Sequence, residues 1–167
     1  NSIKGPTEAV FHRASGSHLL IVGQRDEAAL AMLGVSLISL AAQQPKDGAK
    51  FYVFDCSAPD SAEAKFIERL VAVVPQEIRL VRPAEIEAAM AELAAEQQRR
   101  VDDPGAPAPE TYLFVHGLAR NKKLRFDEEM SFSMDADAGA NPGLLFNKLI
   151  TEGAAVGFHV IATCDTY

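Results

Sequence analysis

The sequence has no tryptophan and only two cysteines, Cys56 and Cys164, which are far apart in the chain. They form neither a C-x-x-C motif nor the spacing of zinc ligands, which argues against a dithiol redox centre and a structural zinc site. Nothing beside either cysteine supplies a base that would lower the thiol pKa. We therefore interpret both as buried, unreactive thiols rather than as a disulfide or a nucleophile.

Positive charge is also scarce, because 16 Lys and Arg residues stand against 23 Asp and Glu, giving a net charge of −7. A domain that grips DNA over a broad surface needs clustered Lys and Arg, so the balance argues against that function. The main basic cluster consists of Arg120, Lys122, Lys123 and Arg125. Three acidic residues at 127–129 follow it directly, so we interpret this cluster as a solvated loop rather than as a contact for nucleic acid or an acidic partner.

The chain also lacks a long hydrophobic run. The longest candidate, residues 28–42, is interrupted by Gly34, Ser36 and Ser39, and no run reaches the length that a membrane-spanning helix needs. No signal peptide is recognisable at the start. We therefore expect a cytoplasmic protein without membrane contact. Residues 1–167 are expected to form one domain, and a chain that stops directly after its last strand suggests a fragment of a longer multidomain protein.

Apolar runs alternate with helical segments along the chain. Strands are predicted at 18–23, 51–55, 78–81, 112–116 and 157–163, with a further short edge strand at 8–12. Helices are predicted at 26–44, 60–74, 83–100 and 142–152, and a long mobile loop at 118–141. The strands are continuous apolar runs, which is typical of a parallel sheet covered on both faces. The predicted fold is therefore α/β, a three-layer αβα sandwich with a mostly parallel sheet.

Several helix ends can be predicted from single residues. Asp60 with Glu63 has the spacing of a capping box, Pro83 suits a first helical turn, and Gly153 suits a C-cap. The helix predicted at 26–44 is apolar nearly all round, so we expect other parts of the protein to cover it on most sides.

Residues 20–30, LIVGQRDEAAL, have the outline of a phosphate-binding loop without its chemistry. That loop should read G-x-x-x-x-G-K-[ST], with a lysine for the phosphates and a hydroxyl for magnesium. Here Gly23 is followed by Gln24, Arg25, Asp26 and Glu27, and residues 28–30 are Ala, Ala and Leu. The two carboxylates suit the positive end of a helix dipole, and they would repel a triphosphate placed there.

The ends of the other strands lack the remaining parts of an ATPase site. Ligands of open α/β sheets bind beyond the carboxyl ends of the strands, where Gly23, Asp55, Arg82, His116 and Thr163 are predicted to lie. In loop-type NTPases the fourth of these strands would end in an Asp that holds magnesium, usually followed by a Glu. His116 and Gly117 occupy those positions, and imidazole is a poor magnesium ligand. We therefore assign no catalytic residue and no metal ligand.

The order of HLLIVG, a long helix, YVFD, an acidic helix before YLFVH, and then GFHVIATCD resembles the motor domain of the FtsK/SpoIIIE and HerA-like translocases. The closing stretch is similar to the family motif G-I-H-hydrophobic-A-T-Q. Gly157, His159, Ala162 and Thr163 match that motif, while Cys164 replaces the polar Gln.

Two further positions are similar to the family, and the resemblance covers roughly residues 15–167. Gly23 matches the first loop glycine and Asp55 an aspartate that ends the second strand. The resemblance implies a RecA-like (P-loop NTPase-like) sheet. Active family members are ATP-hydrolysing ring motors that move DNA or, in type VII secretion, engage protein substrates. Those secretion motors string several such domains together, some with degenerate sites.

From the residues and the resemblance together, we expect a degenerate FtsK/SpoIIIE-like ATPase module with a structural or regulatory role in a larger DNA-translocation or secretion motor. The expected partners are sister ATPase domains of the same chain or oligomer, with DNA or a protein substrate reached through the whole protein. No cofactor is expected, and ATP with magnesium would bind weakly at most. The residues expected to line the former nucleotide site are Gly23, Gln24, Arg25, Asp26, Asp55, His116 and Thr163.

Two alternatives remain open. The complete protein could be an active ATP-dependent DNA translocase for cell division or chromosome segregation, with Arg79, Arg82 or Arg120 acting in a neighbour's site, as arginines do in related chemistry. The domain could instead bind a nucleotide or small molecule alone, through Asp55, Arg25 and His116, although it lacks G-x-G-x-x-G.

Overall fold

The computed structural model describes residues 5, 8–126 and 141–165. Five strands form one sheet, in which every neighbouring pair is parallel, in the order β1-β5-β4-β2-β3. The strands are β1 (Leu19–Val22), β2 (Ala49–Asp55), β3 (Ile78–Val81), β4 (Glu110–His116) and β5 (Phe158–Cys164). The helices are α1 (Asp26–Ala42), α2 (Ala62–Val73), α3 (Ile86–Asp102) and α4 (Pro142–Glu152).

The helices cover both faces of the sheet and create two hydrophobic cores. Successive side chains of a strand point to opposite faces, and in β2 this sends Phe51 and Val53 to one core and Tyr52 and Phe54 to the other. The first core is closed by α1 and α2, and the second by α3 and α4. This architecture confirms the predicted α/β three-layer sandwich. None of the helices in the described ranges combines the length and the hydrophobicity that a transmembrane segment requires.

Some predicted local features are wrong. Residues 8–12 form no strand. Asp60 does not cap α2, because it adopts a positive φ of 62° and Ser61 is the N-cap, with its hydroxyl accepting a hydrogen bond from the backbone N–H of Ala64 at 3.1 Å. Pro83 precedes its helix, since residues 83–85 form a turn and α3 begins at Ile86.

The C-terminal end of α4 and the segment predicted as a mobile loop also differ from the sequence-based expectation. Gly153 is the C-cap of α4, but it keeps right-handed geometry, and the chain continues into the 3-10 turn Gly153–Val156. The left-handed residue that leads into β5 is Gly157, with φ of 84°. Residues 118–126 contain two 3-10 turns, Leu118–Arg120 and Lys122–Leu124. The rest of the predicted loop, 127–140, lies outside the described residues.

The long helix α1 is covered on one side only. Its buried residues face the sheet and α2: Ala29, Leu30, Leu33, Gly34, Leu37 and Ala41. Gly34 permits a close approach to α2, because a Cβ there would lie 3.3 Å from the ring of Phe66. The opposite side carries the exposed apolar residues Met32, Val35 and Ile38. The chain as described therefore does not provide the coverage on most sides that the sequence of α1 predicts.

Candidate functional site

The carboxyl edge of the sheet brings together four of the seven residues predicted for the site. The strand order places the ends of β1, β5 and β4 side by side. Gly23, Asp26, His116 and Thr163 line one small cleft at this edge. The other residues lining it are Ala29, Gly117, Ala119, Arg120, Cys164 and Asp165. Gln24, Arg25 and Asp55 do not line this cleft.

The turn between β1 and α1 does not have the features of a phosphate-binding loop. The backbone N–H of Gly23 donates to the carbonyl of Cys164 at 3.0 Å, which extends the pairing of β1 with β5. A Cβ at Gly23 would meet nothing within 4 Å, so the fold itself does not require glycine there. Arg25 is the N-cap of α1, with extended backbone, and makes no side-chain capping hydrogen bond. Asp26 and Glu27 lie in the first turn, where their negative charge suits the positive end of the helix dipole.

Arg120 folds over the cleft. Gly117 adopts left-handed geometry with φ of 68° and begins a 3-10 turn that folds Arg120 back over the strand end. The Arg120 guanidinium lies with Nη2 3.4 Å from Nε2 of His116 and Nη1 3.9 Å from Oδ2 of Asp26. The volume that remains is about 10 Å³, which is no more than one water molecule occupies. Pockets that hold small-molecule ligands are typically about 300–1,000 Å³.

His116 is a neutral, internally bonded side chain. It is 2% exposed, and since a guanidinium can only donate, Nε2 must accept from Arg120 and Nδ1 must carry the proton. Nδ1 then donates to the Thr163 hydroxyl at 3.4 Å, which also accepts from the backbone N–H of Gly117 at 2.8 Å. Burial lowers the pKa of His116 from its ordinary value of 6.5, and the charge of Arg120 lowers it further.

Asp55 lies at the same edge but belongs to a separate cluster. Its side chain is fully buried, and Oδ1 accepts from the backbone N–H of Ser57 at 2.8 Å. Oδ2 accepts from Arg82 Nη1, while Arg82 Nη2 donates to Glu68. Both carboxylate oxygens of Asp55 are therefore engaged within the chain, and neither is directed at the cleft beside His116.

The three arginines considered for action in trans have different surroundings. Arg79 pairs with Glu92, which also accepts a hydrogen bond from the hydroxyl of Tyr52 at 3.0 Å. Arg82 is held by Asp55 and Glu68, as described above. The guanidinium of Arg120 is held loosely, with His116 at 3.4 Å and Asp26 at 3.9 Å, and the side chain is 46% exposed. Arg120 is therefore the one of the three that is both near the cleft and able to leave its position cheaply.

A second neutral histidine, His18, stabilises the start of β1 in a similar way. Its Nε2 donates to the carbonyl of Ile150 at 2.8 Å, and its Nδ1 accepts from the backbone N–H of Val160 at 3.0 Å. Burial is the main reason that the pKa of His18 is lowered from 6.5. Protonation of Nδ1 would break the bond to Val160, so the folded state requires the neutral ring.

The two lowered histidine pKa values predict loss of stability in mild acid. In the unfolded chain His18 and His116 take up protons as the pH falls through 6.5, whereas in the folded chain they resist protonation. Their contribution is therefore fully present above pH 6.5 and declines as the pH falls from there towards their folded-state pKa values. Urea unfolding across this range should show a falling free energy of unfolding.

Matched glutamine variants test the source of this pH dependence. His116→Gln should reduce the slope of stability against pH, because it removes one of the two titrating groups. His12→Gln is the control, since His12 is exposed, and it should leave the slope unchanged. Equal slopes in the parent protein and in His116→Gln would contradict the assignment.

The sequence did not indicate the part that Arg120 plays in closing the cleft. We interpreted it as one member of a solvated basic loop, and Lys123 fits that interpretation better, with an exposed ion pair to Glu87 at 2.8 Å. Gly117, directly after the end of β4, could have indicated this role. A glycine there allows the sharp turn that returns Arg120 to the carboxyl edge of the sheet. Among the described residues, no group of three or more His, Cys, Asp or Glu side chains is placed to hold a metal ion.

The arrangement as a whole is a small cleft at the carboxyl edge of the sheet, where ligands of open α/β sheets bind, with the Arg120 side chain folded over it. Comparison of the sequence with models of known protein families and with curated proteins gives no match.

Proposed function

We propose that this chain is a degenerate FtsK/SpoIIIE-like ATPase module, with a structural or regulatory role in a larger DNA-translocation or secretion motor and no ATP hydrolysis of its own. The observation that carries the proposal is the closed cleft at the carboxyl edge of the sheet. With Arg120 in place the cleft has a volume of about 10 Å³, which is too small for a nucleotide. The resemblance of the sequence to translocase motor domains supplies the kind of assembly in which such a module would act.

The electrostatics of the cleft support the same conclusion. A phosphate site presents its cations to the ligand, whereas the cation present here, Arg120, is directed at Asp26 and at the neutral ring of His116. Asp26 and Glu27 add two negative charges at the helix end that would otherwise attract phosphate. A triphosphate would have to displace Arg120 and approach both carboxylates, so binding is disfavoured by charge as well as by space.

Isothermal titration with ATP and magnesium tests the proposal directly. The expected result is no binding in the micromolar range by the parent protein, because both the volume and the charge oppose it. Arg120→Ala is the informative variant, since it enlarges the cleft while leaving Asp26 and Glu27 in place, and it should also fail to bind. Micromolar binding by the parent protein would overturn the proposal.

The alternative proposal is that the complete protein is an active ATP-dependent DNA translocase, in which this domain contributes an arginine to a neighbour's site. Arg120 is the arginine that the structure favours for this role, because it is half exposed and not held by a close ion pair. Arginines acting in trans increase turnover by about 10³–10⁵. Arg120→Ala in the full-length protein should then abolish most ATPase activity, while the exposed neighbour Lys122→Ala should not. Unchanged ATPase activity in Arg120→Ala would remove this alternative.

Binding of a nucleotide or small molecule by the domain alone has less support. In the common dinucleotide-binding folds β1 lies inside the sheet, whereas here it is an edge strand beside β5. Asp55, which would hold a ribose hydroxyl, is fully buried and bonded to Arg82 and Ser57. A ligand would therefore have to break an internal ion pair before it could reach this carboxylate.

A further inference from the structure

His159 is a buried side chain whose two ring nitrogens both face hydrogen-bond acceptors. It lies near the start of β5 and is 1% exposed. Its Nδ1 is 2.9 Å from the carbonyl oxygen of Ser17, and its Nε2 is 3.2 Å from Oε2 of Glu110. A carbonyl oxygen and an ionised carboxylate can only accept, so both ring nitrogens must donate. A histidine ring that donates from both nitrogens is the protonated imidazolium.

The surroundings of Glu110 favour the ionised carboxylate that this interpretation requires. Its other oxygen, Oε1, accepts from Nε of Arg13 at 2.7 Å, and a guanidinium bound to a carboxylate stabilises the charged form. Arg13 Nη2 also donates to the carbonyl of Ala108 at 2.9 Å. Gly157 leaves room for this arrangement, because a Cβ there would lie 2.8 Å from Oε2 of Glu110. The buried imidazolium therefore has a counter-ion, without which burial of a charge would be costly.

Two aromatic rings also pack against His159. The ring of Tyr112 in β4 stacks on it with ring centres 5.5 Å apart, and the ring of Phe11 lies tilted against it at 5.3 Å. Aromatic rings attract a cation that lies within about 6 Å of the ring centre. The position of His159 is therefore suited to a cation on its faces as well as at its two nitrogens.

We propose that His159 is a buried imidazolium that latches residues 11–17, which we call the strap, to the amino edge of the sheet, and that loss of its proton releases the strap. The strap contacts the sheet through Phe11, Arg13 and Ser17, and each contact involves either His159 itself or its counter-ion Glu110. A neutral ring could donate from one nitrogen only, so one of the two acceptors would face a lone pair. Because histidine changes charge near neutral pH, the attachment of the strap depends on pH.

The charged and titratable groups around His159 determine how firmly its proton is held. They are Glu110 and Tyr112 of β4, Arg13 of the strap and His18 before β1. Burial raises the pKa of Tyr112, so its hydroxyl stays neutral. Burial is the main cause of the lowered pKa of His18, and the nearby His159 lowers it further. The helix packed on this side of the sheet, α1, carries no titratable side chain from residue 28 to residue 42. Glu110 is therefore the anion of this group, and retention of the proton should depend on it.

NMR of the parent protein labelled with ¹⁵N at histidine tests the protonation state without any substitution. At about pH 7.5 both ring nitrogens of His159 should carry protons, whereas the exposed ring of His12 should be mainly neutral. Glu110→Gln should remove the second proton of His159 at this pH, because an amide supplies no counter-charge. A His159 ring with one protonated nitrogen in the parent protein, or an imidazolium that persists in Glu110→Gln, would overturn the proposal.

Urea unfolding above neutral pH tests the contribution of this proton to stability. In the unfolded chain His159 loses its proton as the pH rises through about 6.5, whereas the folded chain retains it. The contribution is therefore fully present below that pH and declines above it, with the unfolding constant rising by up to about tenfold per pH unit. His159→Gln should remove this rise, and the matched control His12→Gln should keep it. The same rise in the parent protein and in His159→Gln would contradict the proposal.

Trypsin cleavage after Arg13 tests the release of the strap. The rate is measured relative to cleavage after the exposed Lys122 in the same sample, which corrects for the activity of the protease. This ratio should be severalfold higher in His159→Gln than in His12→Gln, and thermal unfolding verifies that both variants are folded. Equal ratios would show that the strap is held without the imidazolium and would overturn the latch. No nucleotide is present, so the outcome is independent of whether the cleft binds ATP.

Discussion

Arg100→Ala is expected to lower the free energy of unfolding by about 3 kcal/mol or more, because each buried acceptor left without a donor costs about 1–3 kcal/mol. Arg100 is 4% exposed near the end of α3. Its Nε donates to Glu96 at 2.9 Å and its Nη2 to the Thr111 hydroxyl at 2.9 Å. Nη1 donates to the carbonyls of Val156 and Gly157 at 3.1 and 3.3 Å. Alanine would take this donor from the Val156 carbonyl and the Thr111 hydroxyl, whereas Glu96 keeps Arg99 and the Gly157 carbonyl keeps the backbone N–H of Thr111. It would also remove a cation that lies 4.2 Å from the ring centre of Phe158.

Arg100 therefore ties α3 to the start of β4 and to the turn before β5. A lysine can keep the charge but cannot reproduce a planar group that donates in several directions, so Arg100→Lys should recover only part of the lost stability. Urea unfolding gives the comparison, provided that the slope with denaturant stays constant.

Arg99→Ala is the matched control for this prediction. Arg99 shares the partner Glu96, at 2.7 Å, but its side chain is 47% exposed, so its ion pair should contribute little to stability. The hydrogen bonds from Arg99 and Arg100 together lower the pKa of Glu96 to about 2. If Arg99→Ala were as destabilising as Arg100→Ala, the effect would arise from the charge of Glu96 and not from the buried contacts.

The order and type of the main elements could be predicted because each depends on residues close together in the sequence. The run at 51–55 is buried on both faces, as a central parallel strand requires, and the stripe of Ile86, Met90 and Leu93 is buried under α3. The edge strand expected at 8–12 does not form: these residues pair with none of the described strands, and the ring of Phe11 packs against Tyr112 and His159 instead.

Local patterns gave less information where the decisive contacts are distant in sequence. Gln97 and Arg100 continue the buried stripe of α3 at helical spacing. Their burial could not be predicted from the hydrophobic pattern, because both side chains are polar. Arg120 looked like part of a solvated loop, since nothing nearby in the sequence shows that Asp26 lies across the cleft from it. The meeting of the strand ends could be predicted because parallel strands end at a common edge. The ion pair of Asp55 could not, because its partner, Arg82, is 27 residues away in the sequence.

Arg82→Ala is expected to lower the free energy of unfolding by about 3 kcal/mol, because it leaves the Asp55 carboxylate buried without its cation. Asp55 is 0% exposed, and the backbone N–H of Ser57 would be its remaining partner. Glu68→Ala is the control, since Glu68 also pairs with Arg82 but is 55% exposed, and it should change stability by less than about 1 kcal/mol. Urea unfolding measures all three proteins.

A second substitution, Asp55→Asn, distinguishes an uncompensated buried charge from lost packing by the sign of its effect on stability. In the parent protein Asp55→Asn should be destabilising, because it weakens the pair with Arg82. In Arg82→Ala the same change should be stabilising, because a neutral amide needs no cation and can still accept from Ser57. Destabilisation in both backgrounds would show that the carboxylate is not the source of the effect. The result also bears on the alternative function: since Arg82 holds a buried charge, a loss of ATPase activity in Arg82→Ala would reflect damage to this domain before it reflected an arginine acting in trans.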